Sequence, residues 1–415
     1  MNLTASPIRS VALGGVALLL ALLACAPVSA QTPPLPFEGE LPSAGGVALV
    51  ATSLDATPEQ LITTATSLGC DASSIWVGGG GTLTGYVAGA PDFVNAGFPG
   101  NVPTGTPLLI VCAPPQPATM NAPGLSCPVF PADNIWNTRV DDLPVHAQSS
   151  AWVATIGASA TMHPDFGSGV WPPDSDTPIG IPYVEVDGVA GVSVSFEYDS
   201  ESDHGPYPIP SNAPIEGGPS SSGDRHVLVV DRSHCTLYEL FAAYPQSDGS
   251  WTAGSGAIYD LNSNALRPSG WTSADAAGLP ILAGLVRYDE VAAGEIGHAL
   301  RFTAPQTQRA FVWPARHYAS SFTGAEYPPM GARFRLRADF DVSGYDAEVQ
   351  VILRALQRYG MILADNGSSW YLSGAPDERW DNEVLRQLKD LQGSDFEAVD
   401  SSSLIASVGS GAVSR

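Results

Sequence analysis

Glu239 stands between Leu237 and Phe241 on one face of a strand-like run, Thr236 to Ala243. A carboxyl among apolar neighbours is partly desolvated, which raises its pKa and suits it to general-acid work. The segment Tyr259-Asp260-Leu261-Asn262-Ser263-Asn264, followed by Arg267, Trp271 and Asp275, offers partners. It is polar and without clear periodicity, as expected of a functional loop held on a rigid sheet. Asp and Asn side chains hydrogen-bond sugar hydroxyls, and an indole face stacks on a sugar ring. With Glu239 as acid and Asp260 or Asp275 as its partner, two carboxyls would hydrolyse a glycosidic bond. Asn262, Asn264 and Trp271 would bind the substrate. The same Asn and Asp residues would equally serve a turn-rich connection by bonding their own backbone.

A third group is His298, Arg301, Trp313, Arg316, His317 and Tyr318. An Arg that neutralises a carboxylate, with His and Tyr to move protons, is the equipment of a lyase acting on a uronate polymer. His317 and Tyr318 would be its catalytic pair. The same side chains would serve a hydrolase as substrate clamps. His226 reads either as a substrate contact or as a core histidine with both ring nitrogens satisfied.

Metal signals are few. Asp339-Phe340-Asp341-Val342-Ser343-Gly344 matches the first six positions of a calcium loop, but Gln350 stands where the bidentate glutamate belongs. A strand running into a helix capped by Ser343 explains the same residues. His163-Pro164-Asp165 and the acidic run Asp199 to His204 read as solvated loops rather than cation sites. No cofactor is therefore expected, calcium being the alternative, and no metal ligands are assigned. The chain has no Gly-x-Ser-x-Gly elbow, phosphate-binding Gly-x-x-x-x-Gly-Lys, His-Glu-x-x-His or Cys-x-x-Cys, which argues against α/β-hydrolases, P-loop enzymes and zincins.

The elements that must hold these residues are mostly strands. Arg225 to Val230 and Thr236 to Ala243 form the best pair, turning at Asp231-Arg232-Ser233-His234. Both faces of the second run are largely apolar, as in a central strand with one face on the core and the other on a covered cleft. Ala257 to Leu261, Ala299 to Thr303 and Arg333 to Ala338 are further strands. Met361 to Ala364 and Trp370 to Leu372 flank Asp365-Asn366-Gly367, a hairpin signal. Helices are expected after Ser343 and from Asp381. Plentiful Gly (43) and Pro (36) favour short strands and turns. The expected fold class is mainly β: a sandwich or jelly roll over 127–393, preceded by a small α/β domain over 43–113. The Ser-rich tail 394–415 reads as disordered, 114–126 as a linker and 31–42 as a Pro-rich spacer.

In the small domain, Thr57-Pro58-Glu59-Gln60 caps a helix. Trp76, Tyr86 and Phe93 form either a glycan-binding face or the core of a small unit. Residues 1–30 read as an export signal: Arg9, an apolar run from Val11 to Leu23, and small residues up to Ala30. Leu22-Leu23-Ala24-Cys25 also resembles a lipobox, which would lipidate Cys25 instead and supply an N-terminal anchor. No later stretch is long and apolar enough to span a bilayer. Beyond Cys25 there are Cys70, Cys112, Cys127 and Cys235, which allow three pairings. Cys70–Cys112 with Cys127–Cys235 is favoured, because each bond would close one domain. The net charge of −24, with Lys389 the only lysine, excludes nucleic acid as a partner and disfavours polyanions.

Asp133-Asn134-Ile135-Trp136-Asn137, the run Gly270 to Pro280, His298-Ala299-Leu300-Arg301-Phe302 and Tyr359-Gly360-Met361-Ile362 give the stretch from Cys127 to about Asp400 a resemblance to exported bacterial proteins of no assigned activity. The resemblance implies export and a shared domain, and it transfers no catalytic residue. The combined expectation is an exported carbohydrate-active enzyme: a hydrolase of a neutral polysaccharide, or a lyase. The alternative is a non-catalytic lipoprotein that binds cell-wall glycan.

Overall fold

The computed structural model describes residues 35–38, 41, 46–68, 70–79, 82–87, 97–113, 121–173, 175 and 177–414. The export signal with Cys25, most of the Pro-rich spacer, Phe93 and residues 114–120 of the linker lie outside the described residues. The chain divides into two compact units, Met1–Pro115 and Gln116–Arg415.

In the first unit, β1 (Phe37–Glu38), β2 (Gly46–Thr52), β3 (Asp71–Gly79), β4 (Thr82–Val87) and β5 (Pro107–Ala113) make one sheet in the order β1-β2-β5-β3-β4. The helix Pro58–Ser67 starts in a capping box: Thr57 N–H donates to Gln60 Oε1 at 2.9 Å, and Gln60 N–H to Thr57 Oγ1 at 3.4 Å. It buries Leu61 and Ala65 in one core with Ile75, Leu108 and Ile110. Tyr86 packs on this core, edge-on to Phe98. Strand alternation puts Trp76 on the other face, opposite Gly85, where a Cβ would come within 2.7 Å of the indole. Trp76 and Tyr86 therefore do not share a face.

The second unit is also mainly β. Its middle layer is a four-stranded sheet, β13-β10-β9-β7, built from β7 (Tyr183–Val186), β9 (Val227–Asp231), β10 (Thr236–Phe241) and β13 (Ser255–Asp260). β9 and β10 pair antiparallel, with Thr236 opposite Asp231, as their alternation predicts. One face of this sheet (Leu228, Val230, Leu237, Ala257) shares the main core with a six-stranded sheet. That sheet runs β18-β15-β16-β14-β17-β6. Its strands are β6 (His163–Asp165), β14 (Leu300–Ala304), β15 (Arg333–Leu336), β16 (Met361–Asn366), β17 (Tyr371–Ser373) and β18 (Phe396–Val399). The other face (Val227, Val229, Leu240) packs with Trp251 and Ala253 of a small sheet of β8 (Val194–Phe196), β11 (Tyr244–Pro245) and β12 (Trp251–Ala253). β10 is thus buried on both sides, which explains why both its faces are apolar.

Disulfides join Cys70 to Cys112 and Cys127 to Cys235, one in each unit, with sequence separations of 42 and 108 residues. Such bonds persist in an oxidising compartment, outside the cytoplasm. Among the described residues no helix is long and apolar enough to cross a membrane.

Four local expectations need correction. β16 and β17 do not pair with each other: β14 lies between them, parallel to β16 and antiparallel to β17. Asp365-Asn366-Gly367 is therefore a crossover past the end of β14, where Gly367 N–H donates to Ala304 O at 3.0 Å. The Ser-rich tail is ordered. Phe396 and Ala398 are buried, β18 pairs with β15, and Val413 N–H donates to Asp133 O. The helix expected after Ser343 starts three residues later, at Ala347, with Asp346 as N-cap. Finally, the second half of the linker belongs to the second unit, since Leu125 is part of its core.

Candidate functional site

Where the ends of β10, β13 and β16 meet, a cavity of about 430 Å³ opens. β10 contributes Phe241, β13 the Ser255 opposite it, and β16 Asp365 and Asn366. The loop 272–276 lines it too, with Tyr198 and Glu201 of the turn 198–201, Asp224 and His317. The lining loop is held by its own hydroxyls. Ser255 Oγ donates to Ser273 O at 2.6 Å, while Ser273 Oγ accepts from Asp275 N–H at 2.9 Å and donates to Leu279 O at 2.7 Å.

Beneath the cavity, Arg301 of β14 grips Asp275 in a fork, Nε and Nη2 each 3.1 Å from a carboxylate oxygen, while Nη1 donates to Ser373 Oγ at 2.6 Å. Asp275 is only 1% exposed, so its carboxylate is committed to Arg301. Sequence proximity placed Asp275 and Arg301 in different clusters, and the fold pairs them. Asp365 is half-buried on the cavity wall. Burial, and then the negative charge of Asp275, push its carboxyl up to about 7 against the opposing pull of Arg301 and His226. A carboxyl that still holds its proton near neutrality is a proton donor.

Glu201 is fixed by its surroundings. Its Oε2 accepts from Thr272 N–H at 3.1 Å, and Arg267 Nη2 donates to its backbone carbonyl at 2.8 Å. Arg267 is itself paired with Asp203. His317 Nδ1 lies 2.9 Å from Ala276 O, a group that only accepts, so Nδ1 carries the proton. Its Nε2 is left 4.0 Å from Glu201 Oε2. Tyr198, 49% exposed, presents an aromatic surface at the same cavity.

Of the residues singled out from sequence, Asp275 and His317 line this cavity. Arg301 and His226 lie under it: His226 is 3% exposed, with ring nitrogens against Glu216 and Ala274 O. Glu239 is fully enclosed at 0% exposure. Both of its carboxylate oxygens accept from Ile281 N–H, at 3.0 and 2.9 Å, and Oε1 also accepts from Leu282 N–H at 2.9 Å. Burial raises its carboxyl to about 7. It is enclosed in the core at the start of the turn Leu282–Gly284, and it does not line the cavity.

The remaining candidates are not brought to the cavity. Asp260 sits opposite Thr236, at the far end of the strand pair from Ser255, and accepts from Asn262 N–H in its own turn. Asn264 accepts from Asn134 Nδ2 and donates to Asp133. Trp271 lies 5.6 Å from the Arg267 guanidinium. Arg316 donates to the carbonyls of Arg267 and Val408, each at 2.7 Å, and Trp313 Nε1 donates to Ser410 O. Tyr318 stacks on His317 but does not line the cavity. His298 belongs to a separate buried cluster, where Glu290 bridges it to Arg287.

Sequence reasoning missed Asp365, Glu201 and Asp224. Glu201 fell in the acidic run read as solvated, and Asp365 looked like a turn residue. Among the described residues no group of three His, Cys, Asp or Glu is placed to hold a metal ion. In the calcium-like loop, Asp339 pairs with Arg337 at 3.2 Å and Asp341 accepts from Ser343 N–H. No protein-family model, curated protein or solved structure matches this chain.

Proposed function

We propose that the protein is an exported glycoside hydrolase acting on a neutral polysaccharide, with Asp365 as general acid. Glu201, beside His317, is the carboxylate that either deprotonates an attacking water or itself attacks the anomeric carbon, as the glycosidic oxygen leaves with the Asp365 proton. The observation that carries this reading is Asp365 itself: an accessible carboxyl that keeps its proton near neutrality, on the wall of an open cavity. The volume suits a saccharide segment, and Tyr198 and Phe241 offer faces for sugar rings. The Arg301 guanidinium is buried, bonded to Asp275 and Ser373, and does not line the cavity, so it is not placed to neutralise an anionic sugar there. Of the residues a uronate lyase would need, Arg316 is bonded to the carbonyls of Arg267 and Val408, and Tyr318 does not line the cavity. The site of action is the periplasm, outer envelope or extracellular space, with the protein free or tethered through Cys25.

The test is a panel of neutral and uronate glycans incubated with the purified protein. New reducing ends without an unsaturated, ultraviolet-absorbing product are expected. The unsaturated product would replace hydrolysis by elimination. Retention on a glycan column with no product at all would make the protein a binder.

A further inference from the structure

We infer that His226 is a positioning residue of this site, a buried imidazolium that fixes the cavity lining through Ala274 and turns its positive charge toward Asp365. The inference rests on the reading of Asp365 as the acid. Its geometric basis is that both ring nitrogens face acceptors. Nε2 is 3.0 Å from Ala274 O, which cannot donate, so Nε2 carries a proton. Nδ1 is 2.6 Å from Glu216 Oε2. That oxygen also lies 3.4 Å from the His226 backbone N–H, so it accepts there too. Neither nitrogen is free to take a proton from a substrate, which removes His226 from the roles of base and direct substrate contact.

The groups around the ring favour the charged form. Glu216 and Asp224 face it from the preceding loop and favour the charge, against the cation Arg301 of β14; Glu239 of β10 and Asp365 of β16 also face it, each with its carboxyl raised to about 7. Burial works against the charge, but Glu216 outweighs it and holds the imidazolium up to about 9, while His226 in turn holds Glu216 below the usual carboxylate range. Ala274 lies between Ser273 and Asp275, so the Nε2–H bond anchors the carbonyl in the middle of the lining loop. The charge also offsets part of the rise imposed on Asp365 by burial and Asp275. Without it, Asp365 would surrender its proton less readily.

Two measurements test this without any substrate, so their outcome stands apart from whether a glycan is cleaved. Nitrogen NMR of the purified protein labelled at histidine reads the ring directly. Both His226 nitrogens are expected to be protonated at pH 7 and to stay so beyond pH 8. One deprotonated nitrogen at pH 7 would overturn the inference. His226→Gln keeps an amide N–H for Ala274 O and removes the charge. Carbon NMR of its aspartate carboxyls should place the Asp365 midpoint above the wild-type value by about half a unit or more. An unshifted midpoint in the folded variant would overturn the electrostatic role. If the variant does not fold, the wild-type ring spectrum decides alone. Where an active glycan is in hand, the alkaline limb of kcat/KM should move upward with it, a change that loss of a merely structural contact would not produce.

Discussion

Two carboxyls in the second unit, Glu239 and Asp365, are both raised to about 7, and the two regions that hold them could hardly differ more. Glu239 is sealed in the middle of β10, its oxygens filled by the N–H groups of Ile281 and Leu282. Asp365 sits at the end of β16 on an open cavity. Desolvation explains both shifts. A perturbed carboxyl is therefore a candidate acid only where substrate can reach it. At Glu239 the same physics serves the fold, capping the turn Leu282–Gly284 from within the sheet.

That contrast breaks most sharply under mutation. Asp365→Asn should lower turnover by about 100-fold or more without lowering the unfolding midpoint, read by reducing-end release alongside urea denaturation. Glu239→Ala should do the reverse. It leaves two buried N–H groups without an acceptor and removes on the order of 3 kcal/mol of stability, measured as a lower urea midpoint. Glu239→Gln retains an acceptor, so it should cost less and leave the pH profile of activity alone.

A gentler probe is pH itself. Glu239 holds its proton more tightly folded than unfolded. Its contribution to stability is thus complete below the unfolded value of 4.5 and is lost as pH rises through about 7. Asp365 acts in the same sense, from 3.8 to about 7. Thermal midpoints should fall between pH 5 and pH 8, on the order of 3 kcal/mol coming from Glu239 alone. In Glu239→Gln that slope should flatten while the Asp365 part remains. The smallest effect is expected at the calcium-like loop: Asp339→Ala, or added calcium or chelator, should leave the thermal midpoint unchanged, because Asp339 is exposed and its ion pair is with the likewise exposed Arg337.

The sequence was most readable where a local pattern and a long-range partner coincide. The β9–β10 pair was legible because four consecutive apolar residues face a run that is apolar on both sides. The helix capped by Thr57 was legible from its local capping pattern, and the two disulfides from the division of the chain into two domains, each closed by one bond. Asp365 was not. Its Asp-Asn-Gly context promises a tight turn, and only the insertion of β14, some sixty residues upstream, converts that turn into a crossover with a carboxyl on a cavity. The alternation of Phe396 and Ala398 with Glu397 was hidden by the serines that follow. For Arg316 and Trp313, position beside a strand end says nothing about which carbonyl the side chain will reach. Of the titratable residues lining the cavity, Asp275 and His317 were legible as chemistry, the first in a polar, aperiodic loop and the second in a cluster of Arg, His and Tyr. Their partners come from distant segments that no spacing rule connects.

The most direct test sets Asp365→Asn beside Glu239→Gln on whichever neutral glycan the native protein cleaves. Hydrolysis lost in the first and retained in the second is the predicted result. An active Asp365→Asn protein, or activity abolished only at Glu239, would contradict the assignment.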